Sequence, residues 1–199
     1  MEPNRTTRTI QSVDQPPSDA ADWTLAVAGE GEAFGRVFDR HHDRVLRHSR
    51  RLVAQSADVD DVVAITFLEA WRNRARVRLV NDSVLPWLLV TATNVASNTN
   101  RGVRRYRALL AGLPAASIHV DPIDHETSDA LNALARLSLA DRRVVVLCVL
   151  EGYSEREAAS ALGVPPGTVK SRLSRAKGRI RAQLETPSLQ HSLVEETRS

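Results

Sequence analysis

Ser154-Glu155-Arg156-Glu157-Ala158-Ala159-Ser160-Ala161-Leu162-Gly163-Val164-Pro165-Pro166-Gly167-Thr168-Val169-Lys170-Ser171-Arg172-Leu173-Ser174-Arg175-Ala176 reads as a short helix, a glycine turn and a second helix in direct succession. Ser154 and Glu157 have the spacing of a capping box, which satisfies free N–H groups at a helix start. Ala158 and Ala159 are small where two helices must approach, and Gly163 tolerates a left-handed backbone between them. Val164, Val169 and Leu173 can pin the second helix onto the first, the packing of a helix-turn-helix. That second helix, expected from Pro166 to Leu184, exposes Lys170, Ser171, Arg172, Ser174, Arg175, Lys177, Arg179 and Arg181, with no acid until Glu185. Arg172, Arg175 and Arg179 share one face, so the stripe suits phosphate neutralisation and hydrogen bonding to guanine edges. An ordinary solvated helix usually mixes charge signs, and this one does not.

Upstream, Ser138 and Asp141 repeat the capping pattern before the apolar run Val144 to Leu150, which Gly152 ends. Ser128 can cap a helix carrying Leu131, Leu134 and Leu137, which completes a C-terminal block over residues 127–185. Residues 108–126, with Gly112, Pro114, His119, Asp121 and Pro122, lack periodicity and read as a flexible linker. An earlier block spans residues 24–107. Its first helix, Glu32 to Leu52, can bury Phe34, Val37, Phe38, Val45 and Leu52 and leave Arg36, Arg40, Arg44, Arg47 and Arg51 in water. Its second follows Ser56, with Val59, Val62, Val63, Thr66, Phe67, Ala70 and Trp71 at steps of three and four on one stripe. Pro86 opens the third, with Trp87, Leu88, Val90 and Val95 for the core, and it runs into Arg101, Arg104, Arg105 and Arg107. The expected fold is all-α: two small helical domains joined by a flexible linker, the C-terminal one a helix-turn-helix. Residues 1–23 and the tail 186–199 are expected to be disordered.

Composition agrees with this class. Of 199 residues 42% are hydrophobic, enough for a packed core, but only 4% are aromatic, which suits aliphatic helix packing better than sheets. The net charge of +3 is small, so the clustering of arginine says more about a polyanionic partner than the sum does. A single cysteine, Cys148, makes neither an internal disulfide nor a cysteine-based metal site, and a cytoplasmic setting is expected. No apolar run is long enough for a membrane span or a signal peptide core. Asp58, Asp60 and Asp61 lie at a helix start, where carboxylates complement the dipole, and are not read as metal ligands. His41 and His42 lack a further ligand at metal spacing and are read as surface residues, and Trp71 and Trp87 as core. With no phosphate-binding glycine loop or nucleophile elbow, the chain is expected to be no enzyme, with no cofactor and no small-molecule substrate.

The third helix of the first block carries Asn94, Asn98 and Arg101 at steps of four and three, beside Thr93, Ser97 and Asn100. Amides and hydroxyls of this kind hydrogen-bond base edges, while the arginines after them can fix a phosphate backbone. The loop from Arg76 to Leu85, with Asn81, Asp82 and Ser83, can hold an unstacked base. Spacing alone fits a polar outer face and a surface loop as well.

Taken together, these segments resemble the extracytoplasmic-function (ECF) sigma factors of bacterial RNA polymerase. Asp61-Val62-Val63-Ala64-Ile65-Thr66-Phe67-Leu68-Glu69-Ala70-Trp71 resembles the family's polymerase-docking helix. Pro86-Trp87-Leu88-Leu89 through Thr93-Asn94 to Arg105 resembles its minus-ten recognition helix, preceded by the loop that captures a flipped-out base. Tyr153 to Ala176 resembles the region that reads the minus-thirty-five element. The resemblance implies minus-thirty-five contacts by Lys170, Ser171, Arg172, Ser174 and Arg175, and minus-ten or opening contacts by Asn81, Asn94, Asn98 and Arg101. It implies contact of Asp61, Leu68 and Glu69 with the clamp of the largest polymerase subunit. The other implied partners are the flap of the second-largest subunit, promoter DNA and an anti-sigma factor. Two positions depart: Ala64-Ile65 stands where the family usually has Gln-Glu, and Thr93-Asn94 where it often has Arg-Asn. The rival reading is a stand-alone helix-turn-helix regulator that binds palindromic DNA as a dimer and never touches polymerase.

Overall fold

The computed structural model describes residues 19–53, 55–110 and 133–185, with side chains to 102 in the second stretch and to 184 in the third. The helices are α1 (Asp19–Ala28), α2 (Gly31–Leu52), α3 (Val59–Arg72), α4 (Leu85–Leu110), α5 (Leu139–Val145), α6 (Glu155–Leu162) and α7 (Pro166–Glu185). Among the described residues there is no strand, only an isolated bridge between Val80 and Ser83. Residues 133–136 are helical, whereas Ser128 and Leu131 lie outside the described residues. So do residues 1–18, 111–126 of the expected linker and the tail 186–199.

The starts and stops follow local chemistry. Ser138 accepts from the Asp141 N–H, and Ser154 with Glu157 forms the full reciprocal capping box. Val146–Leu150 prolongs α5 as a π-helical turn, and Gly152 at φ +76 reverses the chain after it. Gly163 ends α6 in the left-handed region, at φ 65. A Cβ placed there would stand 2.7 Å from Arg78 Nη1. Gly163→Ala is therefore expected to cost about 1 kcal/mol, mostly in backbone strain because the Arg78 tip can move. Urea melts of the two proteins check this.

The expected extent of disorder is corrected at its C-terminal end. Residues 19–23 are not loose: they open α1, which buries Asp19, Asp22, Trp23 and Ala26. Trp23 donates from Nε1 to the Arg74 carbonyl at 3.2 Å, and its ring meets Phe34 at 6.0 Å. The helix thereby hides apolar surface that α2 would otherwise expose.

Two apolar clusters meet along α4. One gathers Val37, Val45, Val62, Phe67, Leu88 and Ala92, and reaches Leu134, Leu137, Val145 and Ala176 of the second block. The other joins Leu89 to Val144, Leu147, Ala158, Ala159 and Val169. Adjacent residues Leu88 and Leu89 thus point into different clusters, and burying each contributes about 2 kcal/mol. The consequence is that α4, which carries the polar face Asn94-Asn98-Arg101, is also the spine on which the helix-turn-helix rests.

Candidate nucleic-acid interface

The second helix of the helix-turn-helix, α7, is anchored by fully buried Val169 and Ala176. That register exposes Lys170, Ser171, Ser174, Arg175, Lys177 and Arg181, while Arg172 is half-buried. Ser171 donates to the Thr168 carbonyl at 3.0 Å, and Arg175 Nε leans back to the Ser171 carbonyl at 3.4 Å. Arg179 differs from the expected free stripe, because its Nη1 donates to Asp141 Oδ2 at 3.0 Å and ties α7 to α5. Arg172 stands near Arg143, whose pKa is lowered by burial and then by that second positive charge. Lys170, Ser171, Ser174 and Arg175 therefore lie open on one helix, with Arg172 at its inner edge.

The α4 face is not the free outer surface that spacing alone allowed. Thr93 is fully buried and Ser97 nearly so, both donating to carbonyls one turn back, Leu89 and Thr93 respectively. Asn94 accepts from Arg143 Nε at 2.7 Å, and Ser97 from Arg142 Nη1 at 2.5 Å. Asn98 and Arg101 remain exposed. In the preceding loop Val80 and Ser83 bond to each other through both backbone pairs, at 2.9 and 3.1 Å. Between them Asn81 (φ 51) and Asp82 (φ 56) sit in the left-handed region and project from the surface. Asn81 donates to Glu157 Oε1 at 2.5 Å, so the first helix of the helix-turn-helix stands over this loop. Hydrogen bonds from the Ser154 hydroxyl and N–H and from Asn81 lower the pKa of Glu157.

A charged seam closes the rest of the contact between the blocks. His48, fully buried, reaches Glu151 Oε1 at 2.9 Å through Nδ1 and Thr93 Oγ1 at 3.1 Å through Nε2. Arg44 donates to Glu151 Oε2 from Nη2 at 2.6 Å and Nε at 3.1 Å. Burial opposes ionisation of Glu151, but the hydrogen bonds from His48 and Arg44 outweigh it and lower its pKa. Arg40 and His41 also differ from expectation: Arg40 is half-buried and His41 buried, both bound to the Asp19 carboxylate. Glu151, His48 and Arg143 were missed as interface residues, and Asp19 as a buried anchor within the first block, because their partners lie tens of residues away in sequence.

On α3, Asp61, Ile65 and Leu68 follow at steps of four and three and form one exposed stripe. Ile65 is 42% and Leu68 44% exposed, high for large aliphatic side chains. Glu69 is half-buried and restrained, accepting from Asn73 Nδ2 at 3.0 Å and facing Arg72 at 3.6 Å. Among the described residues no group of three His, Cys, Asp or Glu lies close enough to hold a metal ion. No helix among them is long and apolar enough to cross a membrane.

The arrangement of two helical blocks has counterparts among known proteins. Residues 37–106 match the family described as Sigma-70 region 2, and residues 128–180 the family described as Sigma-70, region 4. The RNA polymerase sigma factor NccH of Alcaligenes xylosoxydans xylosoxydans is 30% identical over 86% of this chain and 97% of its own length. The ECF RNA polymerase sigma factor SigM of Mycobacterium tuberculosis is 32% identical over 82% of this chain and 83% of its own. Among solved structures, CnrH in complex with the cytosolic domain of CnrY superposes with a TM-score of 0.58 at 26% identity. That match covers 85% of this chain and 98% of CnrH.

Proposed function

This chain belongs to the ECF sigma factors of bacterial RNA polymerase, and from that premise we propose how its residues divide the work of initiation. It is a sigma factor with both a region 2 and a region 4, which disfavours the stand-alone regulator: such a protein leaves the first block without work.

The exposed, acid-free face of α7 carries the reading for the minus-thirty-five element. Lys170, Ser171, Arg172, Ser174 and Arg175 enter the major groove, where the positive side chains neutralise phosphates and the arginines read base edges. Asn94, Asn98 and Arg101 on α4, with Asn81 in the loop, take the opened minus-ten strand. Because Arg143 holds Asn94 and Glu157 holds Asn81, the two blocks separate at this seam before the strand is bound. Two promoter sites on one chain raise specificity through effective concentration.

Asp61, Leu68 and Glu69 dock on the clamp of the largest polymerase subunit, and the second block engages the flap of the second-largest. Support comes from the Asp61-Ile65-Leu68 stripe, where Ile65 makes the contact more apolar than the family's usual Gln-Glu. An anti-sigma protein is a further partner; the similar CnrH is itself seen in complex with another protein, the cytosolic domain of CnrY. The chain acts in the cytoplasm as an initiation factor, with no chemistry, cofactor or small-molecule substrate of its own.

Asp61→Arg tests the docking surface. Placed on the exposed first turn of α3, the reversed charge is expected to leave folding intact and to weaken core polymerase binding by about 1–2 kcal/mol, roughly five- to thirtyfold. Fluorescence anisotropy of the labelled protein with core enzyme checks this, and equal affinities would remove α3 from the interface.

A further inference from the structure

The Asp19 carboxylate, 2% exposed, collects four donors from two parts of the chain, α2 and the segment that leads into α4. Its Oδ1 accepts from Arg40 Nη1 at 2.5 Å. Its Oδ2 accepts from His41 Nε2 at 2.7 Å, the Val84 N–H at 2.8 Å and Ser83 Oγ at 2.9 Å. Burial opposes its ionisation, yet the bonds from His41, Val84 and Arg40 outweigh that cost and hold the carboxyl well below the usual range. An ionised carboxylate only accepts, so His41, Ser83 and Val84 all donate to one oxygen.

Ser83 and Val84 are the exit of the loop that presents Asn81. Ser83 closes the bridge to Val80, and its hydroxyl accepts from the Leu85 N–H at 3.2 Å. The Val84 carbonyl then accepts from Trp87 and Leu88, the first bonds of α4. Val80 and Val84 are buried at 6% and 0%, whereas Asn81 and Asp82 between them are exposed. Two consecutive non-glycine residues at positive φ cost free energy and persist only where neighbouring structure over-determines them. Asp19 supplies that constraint at the loop's exit, from a helix that lies before the residues matched by Sigma-70 region 2.

We propose that α1 is a strut for the base-capturing loop and that Asp19 is the positioning residue that fixes Asn81 for strand opening. The inference rests on the reading of that loop given above. Asp22 supplies the internal comparison. It sits on the same helix and pairs with Arg36 at 2.7 Å and Arg40 at 2.7 Å, holding α1 to α2, but has no bond to the loop among those it shows. Asp22 thus reports on docking of α1 alone, whereas Asp19 serves both docking, through Arg40 and His41, and the loop, through Ser83 and Val84, and Ser83 reports on the loop side.

The experiment measures strand opening by the full chain with core polymerase, on a duplex promoter and on one pre-melted over the minus-ten element. Asp19→Asn places an amide against donors, and loss of charge-assisted hydrogen bonds is expected to lower duplex opening about tenfold or more. On the pre-melted template, where the loop need not nucleate melting, the loss is expected to stay within about threefold. Asp22→Asn is expected to open both templates like the wild type. The strut is refuted if Asp19→Asn opens the duplex as Asp22→Asn does, or if it loses equally on both templates. Should Asp19→Asn fail to fold by circular dichroism, Ser83→Ala decides. It removes one donor to Asp19 together with the acceptor of the Leu85 N–H, so a duplex-selective loss of about threefold is expected, and wild-type opening overturns the proposal. Asn81→Ala separates the two levels. Normal duplex opening by Asn81→Ala defeats the loop reading itself, whereas a defective Asn81→Ala beside a normal Asp19→Asn defeats only the strut.

Discussion

Glu151→Ala is expected to destabilise the closed molecule by about 2–3 kcal/mol and to raise its radius of gyration in solution. The magnitude follows from what stays behind. The Glu151 side chain is 1% exposed and His48 0%, so truncation leaves the His48 Nδ1 buried without its partner. Arg44, 45% exposed, recovers water and contributes little to the loss. The pH dependence has a definite sign. A carboxyl whose folded pKa lies below its unfolded value, about 4.3 for Glu, contributes stability that is present above that value. The contribution disappears as pH falls through the folded pKa, so wild-type closure weakens below about pH 4. Glu151→Ala is expected to lack that part of the acid dependence. Small-angle scattering and urea melts between pH 3 and pH 7, taken as about the span of that titration, read both effects. An unchanged radius and midpoint for Glu151→Ala would place the closure elsewhere.

Arg175→Ala is expected to weaken binding to a minus-thirty-five duplex by about 1–3 kcal/mol and to relax preference at one base pair. Arg175 is exposed on α7, its Nε is satisfied within its own helix, and its removal exposes no buried group. Folding should therefore be untouched. Titrations against a set of duplexes, each with one substituted base pair, distinguish the roles. Loss of discrimination at one position marks base reading. A uniform loss, with a salt slope reduced by about one, marks a phosphate contact instead.

What could be read from the sequence was what short-range chemistry determines. The Ser154–Glu157 box, the left-handed Gly163 and the start of α7 at Pro166 each depend on residues within one helical turn, and the structure has all three. The stripe Val59-Val62-Val63-Thr66-Phe67-Ala70 is buried as its spacing indicates. What stayed hidden depends on partners far along the chain. Asp19 has no neighbour that marks it as structural, because Arg40, which neutralises it, and Val84, which binds it, lie 21 and 65 positions away. His41 looked like a surface residue beside arginines for the same reason. Thr93 and Asn94 have the composition of an exposed polar face, and only the arrival of Arg143 and His48 from other elements covers them. Local helix chemistry was thus visible residue by residue, while the pairing of the two blocks was not.

In vitro transcription by core polymerase supplemented with the purified full-length chain tests the central claim most directly. The expected result is that RNA starts appear only with the chain present, downstream of paired promoter elements, and fall when α7 carries Arg175→Ala. A chain that neither associates with core enzyme nor starts RNA on any template would contradict the account.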